Sequence, residues 1–361
     1  MKKSIITLSI LLFSCTEDSP TLYYSVNNFD ILQIGSNIVD LIIADDGKLL
    51  IAADSGNNRI IMVDISGDME HLQHILVGSE PTSLALSEDE SKLYVGLSGS
   101  SHIAVVDLET FNVTQFMLDE DGPMDVEISG NYLITTFISD QSIYHRTKMY
   151  DLATGEMLSS KPKAGLLSLS EDGSSVFVLD QSFERVNLFK YILDGNTLAG
   201  NIQSSDIIPA PAELYDIEVV PGLGVVLALS GNDFEEHEIN HGFLYEMEQL
   251  NLTAHFDVKS PPLAVATSPN GESIFFSPSK PDGVGTFIIE FDRETYLQRN
   301  YYLTAGKLSP GALIIDPSGE YIYLAVDDMA DNLNDEPYSS NTFDIQKIKI
   351  EPIGTFPIND F

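Results

Sequence analysis

The pattern in this chain closest to a known chemical motif is His237-Glu238-Ile239-Asn240-His241, which satisfies H-E-x-x-H. On a helix, residues four apart share one face, so two imidazoles can hold Zn²⁺ while the glutamate handles a water. Here the flanking text, Val225-Val226-Leu227-Ala228-Leu229 and Phe243-Leu244-Tyr245, is β-like, and Gly231 and Gly242 bound a loop between them. No third histidine follows at the metzincin spacing, and Glu246 and Glu248 come too soon for a distal ligand. Three readings stay open for His237 and His241: a protease, an adventitious or structural metal site, and an acidic loop without metal. His71 and His74, three apart in an expected strand, are expected on opposite faces and make a poor metal pair. No G-x-S-x-G occurs, and the single thiol, Cys15, has another expected use, so a Ser or Cys nucleophile is unsupported.

The 361 residues include 18 Lys+Arg and 55 Asp+Glu, a net charge of −37. That charge repels nucleic acid, and no basic stripe offsets it. A hydrophobic share of 43% is that of a globular protein and argues against disorder. One cysteine rules out disulfides within the chain, Cys-rich zinc sites, iron-sulfur clusters and haem attachment through two thiols.

Lys2 and Lys3, the apolar run Ile5 to Phe13, then Ser14 and Cys15 read as a targeting segment too short to span a bilayer. The ending Leu12-Phe13-Ser14-Cys15 resembles the lipobox of bacterial lipoproteins. That resemblance implies a signal peptide over 1–14, a lipid on Cys15 and a tether over 15–28. Thr16, rather than Asp, follows the cysteine and resembles outer-membrane sorting. The expected location is the cell envelope, on the periplasmic side or at the cell surface.

The rest of the chain shows short Val/Ile/Leu/Tyr-rich runs separated by turn residues, the signature of an all-β protein. Seven turn signals recur: Asp46-Gly47, Asp89-Glu90, Gly130-Asn131, Asp172-Gly173, Pro221-Gly222, Asn270-Gly271 and Ser318-Gly319. Their spacing is that of one four-stranded propeller blade. Residues 29–361 are therefore expected to form one seven-bladed β-propeller domain. The last repeat lacks a fourth strand after Ile345 to Ile350, and Phe29 to Ile34 is expected to fill that gap and close the ring.

Leu50 to Ile60, containing Asp54-Ser55-Gly56-Asn57-Asn58-Arg59, resembles the NHL-repeat signature. Leu93-Tyr94-Val95-Gly96, Ser98-Gly99-Ser100, Ile103 to Asp107 and Gly122-Pro123 are similar to the YVTN-type repeat. The resemblance implies a propeller of the lactonase-like superfamily, whose rings host lactonases, redox partners and plain binding modules.

In such rings the loops joining second to third strands share a face with the connections between blades, and that face usually carries the ligand. Three of these loops are long here, and two are acidic: Asp233, Glu235, Glu236 and Glu238 in one, Asp327, Asp328, Asp331, Asp335 and Glu336 in the other. Aligning the innermost strands places Asp40, Ser83, Asp125, Leu166, Asp216, Ala264 and Ala312 at one equivalent position. Asp40, Asp125 and Asp216 either converge on Ca²⁺ or another divalent cation at the channel mouth, or accept backbone N–H bonds at their own turns. Two functions follow. The first is a monomeric, membrane-tethered, non-enzymatic module whose acidic upper face binds an extracytoplasmic protein, peptide or glycan. The second is a metal-dependent lactonase-type hydrolase.

Overall fold

The computed structural model describes residues 29–120, 122–137, 145–182, 185–204, 208–209, 212–231, 240–279, 287–327 and 343–350. These are strands and turns, apart from one 3-10 turn at Ser55–Asn57. A first strand, β1 (Phe29–Ser36), precedes the blades. Blade one is β2 (Ile38–Ala44), β3 (Leu49–Asp54), β4 (Arg59–Asp64) and β5 (Glu70–Leu76). Blade two is β6 (Pro81–Leu86), β7 (Lys92–Leu97), β8 (His102–Asp107) and β9 (Val113–Met117). Blade three is β10 (Pro123–Ser129), β11 (Tyr132–Phe137), β12 (Arg146–Asp151) and β13 (Met157–Lys161). Blade four is β14 (Gly165–Leu169), β15 (Ser175–Ser182), β16 (Arg185–Asp194) and β17 (Thr197–Gln203), and the short β18 (Ile208–Pro209) adds to β16. Blade five is β19 (Ala212–Val220), β20 (Gly224–Gly231), β21 (His241–Tyr245) and β22 (Leu252–Asp257). Blade six is β23 (Pro262–Thr267), β24 (Ser273–Pro278), β25 (Phe287–Asp292) and β26 (Gln298–Leu303). Blade seven is β27 (Leu308–Ile315), β28 (Tyr321–Asp327) and β29 (Phe343–Lys349), completed by β1.

Pairing within every blade is antiparallel, and each of the seven expected turns joins a first strand to a second. The innermost strands touch in the cyclic order β2, β6, β10, β14, β19, β23, β27 and back to β2. The chain is a seven-bladed β-propeller. Closure comes from β1, whose Phe29 pairs with Ile348 and Leu32 with Ile345. Asp344 on β29 strengthens this join, its Oδ1 accepting N–H bonds from Ile34 at 2.7 Å and Gly35 at 3.0 Å.

The core is a set of seven apolar layers, one at each junction between blades. Strand β20 shows why its text is continuously apolar rather than alternating. Val225, Leu227 and Leu229 pack toward blade four, while Val226 and Ala228 pack toward blade six. Both faces of a second strand are buried, so neither tolerates a polar row.

Third strands run into turns held by one carboxylate. Asp107 Oδ1 accepts from the Thr110 amide at 2.7 Å and the Thr110 hydroxyl at 2.7 Å. Asp151 and Asp292 do the same with Thr154 and Thr295. Several fourth strands then begin with a β-bulge. In blade one the register steps from Met62↔Gln73 to Val63↔His71, so Leu72 is inserted. The insertion reverses side-chain parity. His71 and His74 consequently lie on the same side, with ring centroids 6.3 Å apart, instead of on opposite faces.

Candidate functional site

The seven innermost strands carry Asp40, Asp125, Glu127, Glu213, Asp216 and Glu218, and no Lys, Arg or His. In most blades the first strand has a register shift at or beside the aligned position, as at Ile38/Asp40 and Leu214/Asp216. The pairings Asp40↔Ala53, Ser83↔Gly96, Leu166↔Leu179, Asp216↔Ala228 and Ala264↔Ser277 each fall on the fifth residue of the second strand, so these positions are structurally equivalent.

Each aligned aspartate bridges two blades. Asp40 accepts the Leu41 amide on Oδ1 at 2.7 Å and, on Oδ2, the Leu84 amide of blade two at 2.7 Å. Asp125 accepts Val126 at 2.8 Å and Leu167 of blade four at 2.7 Å. Asp216 accepts Ile217 at 2.9 Å and Val265 of blade six at 2.9 Å. The geometry has a physical cause. An innermost strand pairs on one edge only, and its other edge presents amides that need acceptors. The main-chain bonding weighed from the sequence thus extends across the junctions of blades one with two, three with four, and five with six.

Glu127 and Glu218 lie two residues beyond Asp125 and Asp216, on the same side of their strands. The repeated Asp-x-Glu is the sequence signal for them, and an alignment of one position per strand passes over it. Glu218 Oε1 accepts from the Thr267 hydroxyl of blade six at 3.0 Å. The ring is narrow at this end. Strand β19 lies against β27 as well as β23, and Gly311 permits it, since a Cβ there would meet the Tyr215 carbonyl at 3.3 Å and the Val39 carbonyl at 3.6 Å.

Crowding acids without a cation favours their protonated forms. Burial, followed by the charge of Asp125, pushes Asp40 up to about 8, against the pull of its two amides. Burial raises Asp125 to about 6 and Glu218 to about 7. Asp216 stands well above the usual carboxylate range through burial, with Glu218 and Asp40 adding to it. Glu127 is also well above that range, from burial and then Asp125, Glu218 and Asp40. The channel therefore contains five buried carboxyl groups, each raised above the ordinary carboxylate range. Among the described residues, no group of three or more His, Cys, Asp or Glu has the spacing to hold a metal ion.

His241 begins β21, its ring 4.7 Å from Phe243 and 4.7 Å from His255, centroid to centroid. His237, Asp233, Glu235, Glu236 and Glu238 lie outside the described residues, as do Asp328, Asp331, Asp335, Glu336 and Cys15. Asp327 ends β28, but nothing is described of its side chain. On the described part of the upper face, Ser98, Gly99, Ser100, Ser101 and His102 line a shallow hollow of about 500 Å³. The residues carrying the NHL-like text have a local structural role. Asp54 accepts from Asn57 Nδ2 at 2.9 Å and from Arg59 Nε at 2.7 Å, and Asn58 turns the chain in the left-handed region at φ 58°.

No protein-family model matches the chain, and no curated protein does. Solved structures match its architecture. A chain titled Kuenenia stuttgartiensis hydrazine synthase aligns with a TM-score of 0.70 at 14% identity, covering 94% of this chain and 100% of that one. U3-55K aligns with a TM-score of 0.63 at 13% identity, covering 91% and 99%. At such identity the likeness concerns the fold alone.

Proposed function

We propose that this protein is a lipid-tethered propeller of the cell envelope that serves as a non-enzymatic binding or scaffold module. The observation that carries this reading is the engagement of Asp40, Asp125 and Asp216. Both oxygens of each accept main-chain amides, so these carboxylates act as staples between blades. The lipobox-like ending at Cys15 supports the tether, and the acidic text Asp233 to Glu238 and Asp327 to Glu336 supports an upper face that attracts a cationic ligand. A metal-dependent hydrolase is the second reading. It is favoured by the five carboxyl groups that burial raises in the channel, three of them further raised by their neighbours' charge, which a divalent cation would neutralise.

Calorimetric titration with Ca²⁺ and Zn²⁺, together with lactone and ester hydrolysis assays, separates the two. A scaffold shows no metal-stimulated turnover. Turnover that Asp125→Asn abolishes would replace the scaffold reading with the hydrolase. Separately, Cys15→Ser is expected to release the protein from the membrane fraction, and retention there would remove the tether.

A further inference from the structure

The lower face, opposite the one expected to bind ligand, carries a cleft of about 700 Å³ between blades one and two. It is formed by the turns after β2, β4, β6 and β8. Seven of its sixteen lining residues are Asp or Glu and one, Lys48, is basic. The apolar part of its wall includes Met62, Leu72 and Phe111.

Phe111 departs from the pattern of its equivalents. The third-to-fourth-strand turn holds a left-handed residue at Phe111, Gly155, Leu250 and Tyr296, with φ of 59°, 73°, 55° and 59°. Leu250 is fully buried, and Tyr296 packs edge-on against Phe256 at 5.8 Å. Phe111 occupies the same strained conformation yet leaves 41% of its surface in solvent.

The apolar strip continues up the side of the molecule. Val113 pairs with Val106 and Met117 with His102. Since Val106 and Ala104 pack toward blade one, Val113 and Met117 face blade one too. Met117 is 59% exposed and Leu72 53%. Of the eight large apolar side chains exposed among the described residues, four, Leu72, Phe111, Val113 and Met117, lie at this junction, whereas Leu76, paired with Arg59 on the face of Ile61, turns toward blade seven. Apolar exposure is thus concentrated at one junction of the ring, where ordinary surfaces scatter it.

We infer that this groove docks an extended segment of a partner protein that bears Lys or Arg and alternates them with apolar side chains. The acidic turns meet the cations, and the strip from Phe111 to Met117, about 20 Å long at strand spacing, receives the apolar residues. Charge decides against two other occupants. A second copy brings another −37, and segments 16–28 and 351–361 of this chain hold four acids and no base. This surface is independent of the upper-face loops.

The test is fluorescence anisotropy with a labelled peptide of alternating lysine and leucine, at about 150 mM salt to suppress diffuse attraction. Wild-type protein is expected to bind it, and to prefer it over a glutamate-leucine peptide of equal length. Phe111→Gly combined with Met117→Ser should weaken binding by about tenfold or more. Glycine suits the left-handed position, as Gly155 shows in blade three, so the thermal midpoint should hold. Met157→Ser and Leu297→Ser, at exposed apolar sites on other blades, should leave affinity unchanged. Equal affinity in wild type and the double variant, equal loss in the controls, no preference between peptides, or no binding by wild type would each overturn the proposal.

Discussion

Glu127 shares the channel with four other carboxyl groups, and burial, followed by the negative charge of Asp125, Glu218 and Asp40, opposes its ionisation. For a carboxyl raised in the folded state, the native protein holds the proton more tightly than the unfolded chain. Its stabilising effect is therefore complete below the ordinary carboxylate range. It fades as pH climbs through about 6 for Asp125, about 7 for Glu218 and about 8 for Asp40. Denaturation followed from pH 4 to pH 9 should show stability falling across that window. Glu127→Gln should raise the urea midpoint at pH 9 and leave it unchanged at pH 4, and an unchanged profile would remove the coupling. Asp216→Ala has the opposite balance at low pH. It orphans the Val265 and Ile217 amides, a loss of about 1–3 kcal/mol for a buried donor, and relieved repulsion offsets that loss as pH rises. The variant's deficit, measured by urea denaturation, should therefore shrink between pH 4.5 and pH 9.

At the scale of the element, one carboxylate orders the turn after the third strand in five blades, at Asp64, Asp107, Asp151, Glu246 and Asp292, and a bulge re-aims several of the strands that follow. Asp292 accepts from Glu294 N, Thr295 N and Thr295 Oγ1 and also pairs with Arg299. Asp292→Ala is expected to cost about 1–2 kcal/mol by thermal or urea denaturation, with Asp292→Asn costing less because it keeps an acceptor. Most of these turns were legible as Asp at strand ends, since the side chain bonds to amides two and three residues away. The bulge at Leu72 was not. It depends on how β5 seats against β4, and it places His71 beside His74, whose charge adds to burial in lowering the His71 pKa.

For the molecule as a whole, the decisive contact joins the two ends of the described chain. Removing the chain through Ser36 leaves β29 with an unpaired edge and removes Leu32 from the layer between blades seven and one. Such a truncation should lower the calorimetric midpoint and drive self-association in sedimentation experiments, because an open sheet edge pairs with its like. Asp344→Ala should weaken the same closure to a smaller degree, through loss of the Ile34 and Gly35 bonds. If neither change lowers the midpoint, ring closure does not limit stability.

By itself the sequence determined the number of blades, the seven turns and the closing strand. All three rest on local preferences, namely left-handed turn residues, two-residue periodicity and the missing strand of the last repeat. It likewise determined the excess of acid and the equivalence of Asp40, Asp125 and Asp216. Only the tertiary structure decided what those aspartates touch. Their second partners, Leu84, Leu167 and Val265, lie more than forty residues away, on strands whose free edges exist only once the ring forms. The convergence of Glu127 and Glu218 with them, and the exposed groove at Phe111, were equally undecided until then. A side chain's partners and its exposure are set by atoms from distant parts of the chain, and no local pattern encodes those.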